Sequence, residues 1–233
     1  MTGMHNPAAF LLAGGRGASA ADACSPHPKD FPDRLLHVIA DHPNICNAVH
    51  LPLQSGNDRI LKRMNRGYTR QEYLDLVDLM RDVVPGIALT TDIICGFPTE
   101  TAEEYLDTEG VVKAVGFESA FIFKYSERMG TVAARRHRDD ITTEEKSRRV
   151  TRLVNIQREI SRAKNEERIG RVERVLIEGV SKKDSGEWRA RNDGNTIVVF
   201  RDPARCVGDF CDVKIARATP NTLIGQVYPP TRK

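Results

Sequence analysis

Two patterns of hydrophobic and polar positions divide the chain near residue 168. Before that point, short apolar runs alternate with segments whose apolar residues recur at helical spacing, which predicts strands at 48–53, 87–94 and 120–124 and helices at 33–40, 55–64, 69–84, 101–115 and 142–167. After it, apolar and polar residues alternate with a period of two. That second pattern predicts five short strands, at 172–178, 186–190, 196–200, 210–216 and 222–227.

Residues that favour helix starts support these assignments. Thr69-Arg-Gln-Glu72 and Thr101-Ala-Glu-Glu104 are capping boxes, in which the threonine hydroxyl and the glutamate carboxylate accept bonds from free N–H groups. Ser55 is the predicted cap of the helix that reaches about Met64.

The order of elements predicts an α/β fold. Strands that alternate with helices form right-handed parallel units, as in a TIM-like (β/α) barrel, and three strands can supply only part of such a barrel. The five later strands predict a small all-β barrel of the OB-like kind. We therefore expect a poorly ordered tail at 1–24, a β/α domain with a connector helix at 25–168, and the small barrel at 169–229.

Composition and charge leave several classes open. The 233 residues are 40% hydrophobic, an ordinary content for a soluble protein, and the apolar run at 8–13 is too short for a bilayer or a signal sequence. We therefore expect a cytoplasmic protein without a membrane segment. The net charge of +3 neither requires nor excludes nucleic acid, and the basic residues of the second half could equally form a solvated helix face paired with glutamates.

The cysteines and histidines predict neither a metal site nor a catalytic centre. Five cysteines, an odd number, indicate reduced thiols, and none of the spacings is typical of an iron–sulfur or zinc site. The sequence also lacks a recognisable Ser/His/Asp or Cys/His arrangement, so we predict no catalytic residue and no metal ligand.

Polar residues just after the predicted strands are the candidate ligand site, because loops at the carboxyl ends of parallel strands converge. Gln54, Ser55 and Gly56 follow the first strand, although a simple turn with a helix cap would explain them equally well. Thr91 and Asp92 interrupt an apolar strand, where a carboxylate needs a partner or a place at the mouth of the site.

The next helix begins after Gly96-Phe-Pro-Thr-Glu100. The free N–H groups at a helix start favour anionic or polar ligand groups, so Gly96 and Glu100 join the candidate set. The alternative is that this segment only leads into the helix capped by Thr101.

Candidate RNA contacts lie in both regions. Arg66 and Tyr68 could bind phosphate or stack on a base, although exposed loop residues are the plainer explanation. In the small barrel, the predicted contacts are Lys182, Lys183, Arg189, Arg191 and Asn192. Residues 192–194 could instead only make a hairpin turn, and Trp188 could only fill the barrel.

Three blocks of sequence resemble a known family. They are His50-Leu-Pro-Leu-Gln-Ser-Gly-Asn-Asp58, Arg66-Gly-Tyr-Thr-Arg70 and Thr91-Asp-Ile-Ile-Cys-Gly-Phe-Pro-Thr-Glu-Thr101. They resemble the later half of the radical S-adenosylmethionine (radical SAM) methylthiotransferases, and the MiaB-type enzymes in particular. The likeness runs from about residue 25 to 227, and it implies the later half of a radical-SAM barrel followed by a TRAM domain, an RNA-binding module.

The resemblance implies a function. Such enzymes methylthiolate an N6-isopentenyl-type adenosine next to the anticodon of tRNA, with S-adenosylmethionine and two 4Fe–4S clusters as cofactors. It implies S-adenosylmethionine binding by Gln54, Ser55, Gly56, Thr91, Asp92, Gly96 and Glu100, and tRNA binding by Arg66, Tyr68 and the barrel residues named above. The run Arg191-Asn-Asp-Gly-Asn195 favours the tRNA branch over the branch that modifies a ribosomal protein.

The sequence departs from this family in one respect that bears on activity. The C-x3-C-x2-C motif that holds the cofactor-cleaving cluster does not occur in it, and neither do the cysteines of the family's N-terminal domain. We therefore expect an N-terminally truncated chain that binds no cluster and is inactive alone. A missing half encoded upstream, or another chain, could cover its open barrel. The alternative is a module that only binds RNA.

Overall fold

The computed structural model describes residues 21–23, 27–128 and 130–229. Its helices are a 3-10 turn at Pro28–Asp30 and the α-helices α1 (Asp33–Asp41), α2 (Asp58–Arg63), α3 (Arg70–Val83), α4 (Ala102–Val115), α5 (Val132–Arg136) and α6 (Thr143–Glu166). Its strands are β1 (Ala21–Ala23), β2 (Ile45–His50), β3 (Ala88–Cys95), β4 (Ser119–Lys124), β5 (Val172–Val180), β6 (Trp188–Asn192), β7 (Ile197–Phe200), β8 (Phe210–Thr219) and β9 (Thr222–Val227).

The first four strands form a parallel sheet in the order β1-β2-β3-β4. This arrangement confirms the predicted β/α part of the fold. The expected tail at 1–24 lies outside the described residues except for Ala21–Ala23, which pair with β2 as a strand.

Strand β2 ends three residues earlier than predicted. The strand predicted at 48–53 is present but shifted to 45–50, and it does not continue to Pro52, which has no N–H group to donate to a ladder. The backbone leaves the regular pattern there: the N–H of Leu53 donates to the Thr91 hydroxyl at 2.8 Å, and Gln54 then pairs with Ile93 as an isolated bridge.

The outer face of the sheet and the helices packed on it form the main hydrophobic core. Tyr73, Val77 and Met80 of α3 and Val111 and Val112 of α4 are buried there together with alternate residues of β2 and β3. Burial of this apolar area is the main source of stability in this part of the chain. Both predicted capping boxes are present at the starts of α3 and α4.

The predicted cap of α2 is wrong. Asn57, not Ser55, caps this helix, and its side chain accepts bonds from the N–H groups of Arg59 and Ile60. Ser55 lies two residues too early and is fully buried beside α4. Helix α5, a single short turn at Val132–Arg136, was not anticipated from the sequence.

The last five strands close into a barrel in the order β5-β6-β7-β9-β8. This confirms the predicted small barrel. It has its own hydrophobic core, in which Val175, Ala190, Val198, Val213 and Leu223 are completely buried. Trp188 packs against that core and donates its indole N–H to the Asp202 carbonyl at 2.7 Å, so it fills the barrel wall.

Candidate functional site

The inner face of the parallel sheet is open and carries a cluster of three polar side chains, His50, Thr90 and Asp92. His50 Nε2 lies 3.3 Å from the Asp92 carboxylate, and its Nδ1 lies 2.9 Å from the Thr90 hydroxyl. Phe121 and Phe123 of β4 are on the same face and remain 58% and 54% exposed. An apolar face of this kind beside polar side chains is typical of a binding surface.

A pocket of about 610 Å³ lies at the carboxyl ends of β3 and β4. Its wall continues through the loop after α2 and through the segment that leads into α5. The lining residues are Arg63, Met64, Asn65, Arg66, Ile94, Phe97, Phe123, Lys124, Tyr125, Ser126, Arg128, Thr131, Val132 and Ala133. This is the strand end at which parallel α/β folds bind ligands.

The pocket combines an aromatic wall with cations and unsatisfied polar atoms. The rings of Phe97 and Tyr125 meet edge to face, with centroids 5.1 Å apart. Arg66 Nε and Tyr125 Oη are buried without a hydrogen-bond partner, and burial raises the pKa of the Tyr125 hydroxyl. Buried polar atoms normally have partners, and both residues line the pocket, so a ligand there is a candidate partner for these two atoms.

Of the predicted site residues, Arg66 lines this pocket, and Gln54 bonds it without being a lining residue itself. Arg66 donates to the Gln54 side-chain oxygen at 3.2 Å. Gln54 has a φ of 64°, which lies in the left-handed region that non-glycine residues rarely adopt. The Gln54 N–H donates to the Asp92 carbonyl, and the Gln54 carbonyl accepts the Ile94 N–H. These two bonds to β3 hold Gln54 at the strand end in its strained conformation.

Ser55 and Gly56 are buried against helix α4, away from the pocket. The Gly56 N–H donates to the Thr108 hydroxyl at 2.9 Å, and a Cβ at position 56 would lie 2.6 Å from the Thr108 Cα. Glycine is therefore needed here for close helix packing.

Thr91 and Asp92 point to opposite faces of β3. Thr91 is buried on the outer face, where its hydroxyl accepts the Leu53 N–H. Asp92 lies on the inner face beside His50 with its side chain 33% exposed. Because side chains alternate along a strand, only Asp92 of this pair faces the open side of the sheet.

Gly96 and Glu100 bond each other across the loop between β3 and α4. The Gly96 N–H donates to the Glu100 carboxylate at 2.7 Å. Burial raises the pKa of Glu100, while the Gly96 N–H and the Arg149 guanidinium act in the opposite direction. The Glu100 carboxylate thus bonds the loop that precedes α4, and Phe97 is the loop residue that lines the pocket.

Glu145 accepts a hydrogen bond from Arg149, and its lowered pKa predicts that the stability of the fold depends on pH. Hydrogen bonds from Arg148 and Arg149 lower the pKa of Glu145 from its usual 4.5 to about 2. A carboxylate with a depressed pKa stabilises the fold above its unfolded-state pKa, and this stabilisation is lost as the pH falls toward the folded-state value.

We therefore expect Glu145→Gln to destabilise the chain at pH 7 and to lose this effect as pH falls from about 4.5 to about 2. Urea unfolding of both proteins at several pH values would measure it. Glu144→Gln at the exposed neighbouring position is the control and should show no such convergence. A difference that stays constant with pH would contradict the assignment.

The predicted RNA contacts are scattered. Tyr68 is buried, burial raises its pKa to about 12, and its hydroxyl donates to the Pro52 and Leu53 carbonyls. Lys182 and Lys183 are exposed on the loop between β5 and β6. Arg189 and Arg191 are within 3.5 Å and 3.0 Å of Glu178, respectively, and their charges are therefore partly compensated.

Asn192 serves the hairpin between β6 and β7. It is buried, its amide donates to Glu173, and its carbonyl oxygen accepts the Thr196 N–H at 2.8 Å. The tip of this hairpin rests on the parallel sheet, because the Asp193 carboxylate accepts the Asn47 N–H at 3.2 Å. The structure therefore uses this run to join the two parts of the chain.

Sequence reasoning missed several pocket residues. Arg63, Phe97, Phe123 and Tyr125 line the pocket, and none of these four was singled out. Two signals were available: Phe97 follows a glycine at a strand end, and Phe123 alternates with Phe121 on a strand whose inner face has no predicted cover.

The described residues fit one kind of implied cofactor and not the other. None of their His, Cys, Asp and Glu side chains form a group of three or more that could hold a metal ion, so they do not fit an iron–sulfur cluster. The pocket, by contrast, offers aromatic side chains, cations and the unsatisfied Arg66 Nε and Tyr125 Oη, which are groups of the kind that bind a nucleoside-type molecule. None of the helices in the described ranges combines the length and apolar character that crossing a bilayer requires.

Comparison with known protein families divides the chain at the same place as the structure. The profile of the radical SAM superfamily matches residues 20–110, and that of the TRAM domain matches residues 166–228. The first match covers the first three strands of the parallel sheet and ends within α4, and the second covers the closed barrel.

Similar proteins of named activity span nearly the whole chain. A tRNA-2-methylthio-N(6)-dimethylallyladenosine synthase from Parabacteroides distasonis is 46% identical over 200 residues, which are 86% of this chain and 44% of that protein. The enzyme of the same name from Flavobacterium johnsoniae is 42% identical over 200 residues, 86% of this chain and 42% of its own length. The chain thus spans less than half the length of these relatives.

A solved structure is similar in fold. Coproporphyrinogen III oxidase from Escherichia coli, a radical SAM enzyme, aligns with a TM-score of 0.51 over 74% of this chain and 46% of its own, at 15% sequence identity. At that identity, the likeness concerns the fold alone.

The two family matches, together with the parallel sheet and the closed barrel, identify a radical SAM portion followed by a TRAM domain. Within this superfamily, the chain belongs to the MiaB-type methylthiotransferases.

Proposed function

We propose that this chain carries the cofactor- and RNA-binding part of a tRNA methylthiotransferase. The substrate would be an N6-isopentenyl-type adenosine next to the anticodon, and the chain would act in the cytoplasm. The observation that carries the proposal is the pocket at the ends of β3 and β4, with two unsatisfied polar atoms, in a chain 46% identical to an enzyme named for this reaction.

The two parts of the chain would divide the work. Residues 25–168 would form the nucleotide-binding part, with bases or the adenine of S-adenosylmethionine against Phe97 and Tyr125 and with Arg66 donating to a phosphate or carboxylate. Residues 169–229 would bind the tRNA backbone through Lys182, Lys183 and neighbouring cations.

The proposed assignments of single residues follow from the geometry. Gln54 and Asp92 remain candidates for contact with S-adenosylmethionine, since Gln54 bonds the pocket residue Arg66 and Asp92 is on the open face. Ser55, Gly56, Thr91, Gly96 and Glu100 would support the site by holding its backbone. When bound, S-adenosylmethionine would supply the methyl group.

Cofactor binding by the full chain tests this proposal. Phe97→Ala and Arg66→Gln should each lower the affinity for S-adenosylmethionine about tenfold in isothermal titration calorimetry, because each removes one wall of the pocket. Leu106→Ala is the control, since this exposed side chain of α4 does not line the pocket. Equal affinities for all four proteins would refute the pocket assignment.

An alternative function is RNA binding alone. It is favoured by the closed barrel, which has a core separate from that of the sheet and exposes Lys182 and Lys183. Replacing both lysines by glutamine should weaken binding of an anticodon stem-loop. It should also reduce the slope of log affinity against log salt concentration by about two. If RNA binds in this way while S-adenosylmethionine does not bind the wild-type chain, the alternative is the better description.

A further inference from the structure

We infer that Arg149 of helix α6 is a positioning residue that fixes the loop between β3 and α4 and, through it, the wall of the pocket. Its guanidinium donates from Nη1 to the Glu100 carboxylate at 2.8 Å and to the Glu100 carbonyl at 3.1 Å. The inference rests on the proposed function only for the identity of the ligand.

The loop needs an external support because its own backbone is strained. Gly96 and Thr99 have φ values of 74° and 71°, and the second is unusual for a threonine. The N–H of Thr99 donates to Asp140, which lies just before α6, at 2.7 Å. Three bonds, this one and the two from Arg149, thus tie this six-residue loop to α6 and to the segment just before it.

The Glu100 carboxylate is the centre of the arrangement. Its Oε2 accepts both the Gly96 N–H at 2.7 Å and the Arg149 Nη1 at 2.8 Å, and its side chain is only 1% exposed. A buried carboxylate requires such partners, and losing the guanidinium would leave it uncompensated. Arg149 is held in turn by Glu145, which accepts from its Nε at 2.7 Å.

Lys146 adds a steric contact from the same turn of α6. Its aliphatic stem packs against Gly96 so closely that any Cβ at position 96 would overlap the Lys146 Cγ. Its ammonium pairs with the Asp139 carboxylate and lies 5.3 Å from the centre of the Tyr125 ring. The first turns of α6 therefore contact both the loop and a pocket residue.

Movement of the loop would change the pocket directly. Phe97 follows Gly96, lines the pocket and packs edge to face on Tyr125. Arg149 itself is not among the lining residues. Arg149 would therefore affect a ligand only indirectly, by fixing the position of the Phe97 ring.

The far end of α6 is fixed as well, which makes the helix a rigid reference for the loop. Gln157 and Ser161 donate to the carbonyls of Phe117 and Glu118 ahead of β4, and the Asn165 amide donates to the Thr219 carbonyl of the barrel at 2.8 Å. The helix spans about 36 Å at 1.5 Å per residue, and its ends reach the pocket loop and the barrel.

Hydrogen exchange and S-adenosylmethionine binding by the full chain together test the inference. In Arg149→Gln, the amides of Gly96 and Thr99 should exchange at least about tenfold faster, and affinity for S-adenosylmethionine should fall about tenfold. Arg148→Gln is the matched control, because this neighbour bonds Glu145 from the exposed side of the helix, and both quantities should remain within about twofold.

The double variant Glu100→Gln/Arg149→Gln separates positioning from general stability. Its urea midpoint should recover toward the wild type, since no buried charge is left without a partner, while exchange stays fast and affinity stays low. Affinity that recovers together with stability would overturn the inference, and so would unchanged exchange in Arg149→Gln. If the wild-type chain binds no S-adenosylmethionine, the proposed function fails, and the exchange data alone decide the role of Arg149.

Discussion

Gly56→Ala is expected to lower the free energy of unfolding of the β/α part by about 3 kcal/mol. The new methyl group would lie 2.6 Å from the Thr108 Cα and 2.7 Å from the Asp107 carbonyl oxygen, both backbone atoms of α4. Backbone cannot yield as a flexible side chain does, so α4 must shift, and the Gly56 N–H bond to Thr108 would lengthen. Urea unfolding followed by far-UV circular dichroism would measure the loss.

Gly110→Ala provides the matched control for this prediction, because it makes the same change within α4 itself. A Cβ at Gly110 would meet only the Arg70 Nη2, at an ordinary 3.7 Å. Alanine should stabilise a helix interior by about 0.5–1 kcal/mol relative to glycine, so the sign of the effect is expected to reverse. Similar losses in both variants would mean that close packing at Gly56 is not the cause.

Gly225→Ala is expected to destabilise the small barrel by about 3 kcal/mol. Gly225 lies in β9 opposite Ile215, and a Cβ there would lie 2.5 Å from both the Lys214 carbonyl oxygen and the Val213 side chain. The barrel would have to open between β8 and β9 to accept it. Trp188, the only tryptophan of the chain, belongs to this barrel, so its fluorescence reports the loss directly.

Gly179→Ala is the corresponding control in the barrel, since nothing lies within 4 Å of a Cβ at that position. We expect its tryptophan transition to remain within about 0.5 kcal/mol of the wild type. Gly56→Ala should shift the circular dichroism transition more than the tryptophan transition, and Gly225→Ala should do the reverse. Coincident shifts in every variant would show that the two cores unfold as one unit.

The sequence by itself determined the two architectures and most of the elements. Capping boxes at Thr69 and Thr101 and the change from helical to strand periodicity after residue 168 are local features that depend on neighbours in the chain, and the structure confirms them. Sequence reasoning missed the cap at Asn57. It also missed the early end of β2, where Pro52 and the long-range bonds of the next residues to Thr91 and Asp92 override the local pattern.

Only the tertiary structure decided what each polar residue of the three sequence blocks does. Thr91 and Asp92 are adjacent in sequence, but strand alternation buries one against the helices and leaves the other on the open face. Arg149 and Glu100 are 49 positions apart, yet they share one hydrogen-bond network. Packing between distant segments decides which buried polar atoms find hydrogen-bond partners and which face an open pocket. The local sequence pattern carries no information about that packing.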